Sequence, residues 1–175
     1  MKKNNRVLAI DPGTHYIGVA VLDGVKLAYY GVKTLQRKNS PHDTLTEGRK
    51  VIQGLIDDFK PATLAVEKTF FANNRNSALM NVFANEIMAI GRKRNFFVRS
   101  IAANTITKIT CNNGKATKQE VAKEIVRRFP ELLPYLSSDW RWKERFHYNM
   151  FDTVALGVAF QLVNSSSVSF FRVIN

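Results

Sequence analysis

A chain of 175 residues, 45% of them hydrophobic, is sized for one globular core. It has no apolar run of roughly 18 residues or more, which excludes a helical membrane span, and its single cysteine, Cys111, excludes an internal disulfide and suits a reducing, cytoplasmic compartment. Lys and Arg number 26 against 14 Asp and Glu, a net charge of +12, so the partner expected is polyanionic.

In chain order, the basic start Met1 to Arg6 leads into an apolar run that stops at Asp11, too short for the core of a secretory leader. Arg6 to Ile10 and Tyr16 to Leu22 read as strands, and Asp23-Gly24 as a hairpin turn into a third strand from about Lys26 to Leu35. Gln36 to Asp43, polar and holding Pro41, reads as a loop. Val51, Ile52, Leu55, Ile56 and Phe59 have helical spacing within Leu45 to Phe59. Pro61 ends that helix, and Thr63 to Glu67 is a fourth strand. An Asn-rich loop, Phe70 to Asn76, precedes a helix capped by Ser77 and running to about Arg94. Phe96 to Ser100 is a fifth strand, Thr105 to Ile109 a short helix, and Asn112-Asn113-Gly114 a turn. Thr117 caps a helix over Lys118 to Phe129, with Glu120 as the acid of a capping box. Pro130 to Arg145 reads as irregular, and a last helix spans about His147 to Val163. Without repeats or linkers, 1–175 reads as one domain, with 165–175 as a short tail.

Three carboxylates stand out. Asp11 closes the apolar run Val7 to Ile10, Glu67 closes Ala62 to Val66, and Asp152 is the only charged residue from Met150 to Val163. An acid at the edge of a core is costly unless a positive charge compensates it. Three such acids in a strongly basic chain point to a divalent-metal site that works on nucleic acid. A membrane surface is the weaker partner, because no basic amphipathic helix with a spare apolar face stands out.

Three strands joined by hairpins, then strands alternating with helices, give an α/β fold with a five-stranded mixed sheet flanked by helices. This order resembles the ribonuclease-H-like nuclease architecture, and in detail the RuvC family of Holliday-junction resolvases. The resemblance rests on Ile10-Asp11-Pro12-Gly13-Thr14 with Gly18-Val19; on Ala65 to Phe70 with Asn73 or Asn74 and Ser77-Ala78-Leu79; on Gly114 to Val121; and on Asn149 to Ala159. It covers about Arg6 to Leu162. One departure lies in the last motif, where the family usually has two acids three residues apart and this chain has Asn149 before Asp152. Asn supplies an oxygen ligand but no charge, and the sequence fits either a native neutral ligand or the replacement of an acid.

The resemblance implies a structure-selective endonuclease that hydrolyses DNA at four-way junctions, with Mg²⁺ as cofactor, two ions per site, and Mn²⁺ as a substitute. Asp11, Glu67 and Asp152 would hold the metal, Asn149 would assist, and Lys118 would neutralise charge developing on the phosphoryl oxygens. Phe70 would stack on bases near the crossover, with Phe71 either beside it or packed beneath the loop. Arg75, Lys108, Lys115, Lys118 and the run Arg141, Lys143, Arg145 are candidates for backbone phosphates. A homodimer through the Ser77 to Arg94 region would place two equivalent sites on a near two-fold substrate, and branch-migration proteins are possible further partners. Two alternatives stay open: a related nuclease that acts on RNA, and a catalytically weak junction-binding protein.

Overall fold

The computed structural model describes residues 4–36, 40–69, 75–136 and 141–171, without the side chains of 75, 76, 141–146 and 165–171. Five strands, β1 (Arg6–Asp11), β2 (Tyr16–Asp23), β3 (Lys26–Thr34), β4 (Thr63–Lys68) and β5 (Phe97–Ala102), form one mixed sheet in the order β3-β2-β1-β4-β5. The first three pair antiparallel, and β4 and β5 add in parallel, so each needs a helical crossover. Those crossovers are α1 (Pro41–Phe59) and α2 (Arg75–Lys93); α3 (Ala103–Cys111), α4 (Lys118–Arg128), a 3₁₀ turn (Pro130–Leu132), α5 (Leu133–Leu136) and α6 (Arg141–Phe171) follow. No helix among the described residues is long and apolar enough to cross a membrane.

Strand alternation divides the core into two layers. Leu8, Ile10, Val19, Val21, Leu64 and Val66 join residues of α1 and α2 on one face of the sheet. Val7, Ala9, Ala20, Leu22 and Ala65 face the other way, against α3, α4 and α6. Asp11 shares the face of Val7 and Ala9, and Glu67 that of Ala65. Both acids therefore point to the side on which α6 packs.

That side is built for close approach. A Cβ on Gly18 would fall 2.0 Å from Thr153 Oγ1 and 2.8 Å from the Asn149 carbonyl oxygen. A Cβ on Gly157, one turn further along α6, would fall 2.2 Å from Leu22 Cδ1 and 3.5 Å from Ala9 Cβ. Small residues at these crossings let α6 lie tight on the strands and bring Asp152 down to the sheet.

Four readings of the sequence are corrected. The segment Gln36 to Asp43, expected as loop, already starts α1: Ser40 is an N-cap whose hydroxyl accepts from the Asp43 amide at 3.1 Å, and Pro41 takes the first turn. Ser77 is not the cap of α2, which begins at Arg75; its carbonyl instead accepts from the Asn81 side chain at 2.9 Å. Pro130 to Arg145 is largely helical where it is described, as the 3₁₀ turn, α5 and the start of α6. The last helix, expected over His147 to Val163, spans Arg141–Phe171 and takes in most of the segment read as a tail. Its apolar stripe was legible only where it packs on the sheet.

Candidate active site

Asp11 and Glu67 end neighbouring parallel strands. Ile10 pairs with Val66, so the two acids that follow stand side by side, one strand spacing apart at about 4.8 Å between backbones. Asp11 also lies opposite Gly18 on β2, the residue that admits α6. Asp152 descends from α6 onto this edge, and the fully buried Thr153 beside it donates its hydroxyl to the Asn149 carbonyl at 2.6 Å. Lys118 arrives from the first turn of α4. That turn is fixed by the expected capping box: the Thr117 amide donates to Glu120 Oε2 at 2.6 Å, and the Glu120 amide donates to Thr117 Oγ1 at 3.3 Å. Holding the Glu120 carboxylate in these bonds lowers its pKa.

Lys118 Nζ lies 2.6 Å from Asp152 Oδ2, the lysine side chain 61% exposed and the aspartate 20%. The pair borders a cleft of about 160 Å³ that Glu67, Ala103, Thr107 and Val121 also line. The electrostatics are those of crowded acids. Burial, then the charge of Asp152, pushes the Asp11 carboxyl up to about 7, with Lys118 opposing the rise. Burial, then Asp11 and Asp152, pushes Glu67 up to about 8, again against Lys118. Burial raises Asp152 as well, although the Lys118 ammonium works to lower it. On Lys118 desolvation lowers the pKa, but its bond to Asp152 and the charges of Asp152, Asp11 and Glu67 outweigh this and raise it.

A cluster of this kind invites a cation. Its donors are hard oxygens, burial first and neighbouring acids second raise the Asp11 and Glu67 carboxyls, and a second positive charge would favour their ionised form. Among the described residues no three such donors gather closely enough to ligate one ion as they stand. Divalent magnesium needs only one or two protein carboxylates and keeps waters or phosphate oxygens for the rest, so pairs drawn from this set fit it. Asn149 sits one turn before Asp152 on α6, half-buried. His147 turns elsewhere, as its position on the helix predicts: its ring meets Tyr135 edge-on at 5.5 Å between centroids.

Lys108, on α3, is exposed and adjoins the turn before α4, where a Cβ on Gly114 would lie 3.7 Å from its own Cβ. Lys115 is exposed in the same turn, its amide bonded to Asn113 Oδ1 at 3.0 Å. Both therefore flank the turn that leads to Lys118. Arg75 begins α2, and Arg141, Lys143 and Arg145 lie in the first turns of α6; the side chains of all four fall outside the described residues, as do Phe70 and Phe71 entirely. Sequence reasoning missed two contributors, the Thr153 hydroxyl and the role of Gly18. The signal available was a Thr following the acid on an otherwise apolar helix, and a Gly within a strand.

The family model described as "Crossover junction endodeoxyribonuclease RuvC" matches residues 7–135. The chain is 30% identical over 145 residues to the crossover junction endodeoxyribonuclease RuvC of Porphyromonas gingivalis, covering 78% of this chain and 77% of that protein. It is 29% identical to the protein of the same name from Rickettsia bellii, covering 76% and 88%. Its fold superposes on Thermus thermophilus RuvC, solved in complex with Holliday junction substrate, with a TM-score of 0.69 at 18% identity over 91% of this chain and 96% of that one. A yeast mitochondrial Holliday junction resolvase gives 0.66 at 13%, over 89% and 78%.

Proposed function

The chain belongs to the RuvC family of crossover junction endodeoxyribonucleases, and on that premise we propose that it is a divalent-metal-dependent, structure-selective DNA endonuclease that resolves Holliday junctions by paired symmetric nicks. One observation carries the reading: buried acids from the ends of β1 and β4 and from α6 gather at the ammonium of Lys118, burial and then the charge of Asp152 lifting Asp11, burial and then the charges of Asp11 and Asp152 lifting Glu67, in a chain of charge +12. Such a site is unfavourable in isolation and becomes useful when cations and a phosphodiester complete it.

Asp11, Glu67 and Asp152 hold the metal, with Asn149 adding a neutral oxygen. Divalent cations, two Mg²⁺ in our reading with Mn²⁺ able to substitute, supply a lowered pKa for the attacking water and charge neutralisation at the leaving oxygen. Lys118 holds Asp152 before DNA arrives and stabilises charge on the phosphoryl oxygens afterwards. Its long, exposed side chain can reach both partners from the fixed first turn of α4. Lys108 and Lys115 beside that turn bind the DNA backbone, as does Arg75, and Phe70 stacks on bases near the crossover. Two matched nicks call for two sites, which a homodimer through α2 provides; Val82 on that helix is exposed. A cytoplasmic setting suits Cys111, a free thiol.

The test is a synthetic four-way junction with labelled arms, incubated with Mg²⁺, with Mn²⁺ and with chelator. Nicks at symmetric positions on two opposed strands, lost on chelation, are expected. Binding without cutting, or cutting of RNA alone, refutes the reading.

A further inference from the structure

Among the described residues seven large apolar side chains are exposed, and three of them, Val25 at 81%, Phe97 at 57% and Leu162 at 39%, line one groove. The groove measures about 810 Å³ and lies at the end of the sheet opposite the acids, between the β2–β3 turn, the first residue of β5 and the later turns of α6. Val7 and Phe160, both buried, form its floor, and the Phe160 ring lies 6.1 Å from that of Phe97. Exposed apolar side chains gathered in one concavity mark a contact surface, whereas scattered ones are ordinary.

The charge at the groove is one-sided. Among the described residues Arg128 is the only charged one in its lining, and its partner is the ring of Phe129 at 5.9 Å, not a carboxylate. DNA has no apolar side chains to fill such a groove. A second copy docked groove to groove would set Arg128 against Arg128, since among the described residues the lining holds no carboxylate. We infer that this groove docks a peptide segment of another protein, in which bulky apolar side chains seat between Val25, Phe97 and Leu162 and an acidic residue pairs with Arg128. Leu162 lies ten residues beyond Asp152 on α6, so the groove is about 15 Å from the acids along the helix. A docked protein therefore leaves the acid end of the sheet clear.

The full chain serves as bait for displayed random peptides, with excess duplex DNA present to occupy its phosphate-binding surface. Enriched sequences are expected to combine bulky apolar residues with Asp or Glu. Phe97→Asp and Val25→Glu should each weaken the best peptide by about tenfold or more, and Arg128→Glu by about fivefold. Val25→Glu should leave the thermal midpoint and junction cleavage unchanged, since that side chain is 81% exposed. The inference is overturned if no sequence is enriched, if enriched peptides lack acids, or if binding ignores the Phe97 and Val25 changes. Self-association that disappears in Phe97→Asp would identify a second copy as the occupant and overturn it equally.

Discussion

Replacing Asp11 by Asn should make the metal-free protein more stable at alkaline pH while abolishing cleavage. The Asp11 carboxyl is pushed from an ordinary 3.8 up to about 7, mainly by burial and then by Asp152. A shift of about three units corresponds to ~4 kcal/mol at 1.36 kcal/mol per unit if Asp11 titrated alone. The acids share protons, and Lys118 offsets part of the repulsion, so about 1–2 kcal/mol of gain is the realistic expectation. For a chain of this length that is about 3–6 °C in thermal midpoint. The sign follows from linkage: a carboxyl whose pKa is raised by folding carries no penalty below pH 3.8, and the penalty grows as pH rises towards 7. Thermal melts in chelator at about pH 4.5 and pH 8.5 should therefore show a small difference at the first and the full one at the second. Adding Mg²⁺ or Mn²⁺ should then raise the midpoint of the parent protein much more than that of Asp11→Asn, because the cation binds only the folded cluster. A variant that melts lower than the parent at pH 8.5, or gains equally at both pH values, would show that Asp11 is not a strained acid awaiting a cation.

Other perturbations probe the same site. Lys118→Met should lower single-turnover junction cleavage by about a hundredfold or more with a much smaller loss of junction binding in gel shifts; equal losses would make Lys118 merely a phosphate contact. Gly18→Ala drives a Cβ into Thr153 Oγ1 and the Asn149 carbonyl, so thermal stability should fall by about 1–3 kcal/mol and cleavage should disappear as α6 shifts. Adding Thr153→Ala should restore only part of both, since the carbonyl clash remains; full rescue would mean that the backbone contact is unimportant. Asn149→Asp should increase the cleavage rate several-fold at low Mg²⁺, where charge limits metal capture, and an unchanged rate would identify the amide as a sufficient ligand. Cleavage at limiting metal should rise between about pH 6.5 and 8.5, because Asp11 and Glu67 must lose protons that they hold up to about 7 and 8.

The strands, the α4 capping box and the acids at apolar run ends were legible in the sequence because each is a local matter. The apolar run Val7 to Ile10 closed by Asp11, or Thr117 three residues before Glu120, is a pattern of neighbours along the chain. The helical start at Ser40-Pro41 is equally local, a cap followed by a first-turn proline, but the polar stretch around it reads as loop. What tertiary structure alone decided is everything that joins distant residues. Lys118 and Asp152 are 34 positions apart, and no periodicity says that one will neutralise the other. Gly18 belongs to a motif in the sequence, but its packing role shows only when α6 is laid across it, and Val25, Phe97 and Leu162 read as unremarkable apolar residues until the fold brings them around one groove. Local steric and hydrogen-bonding preferences write the elements into the sequence, whereas the encounter of charges and surfaces depends on how those elements pack, and only the folded chain specifies that.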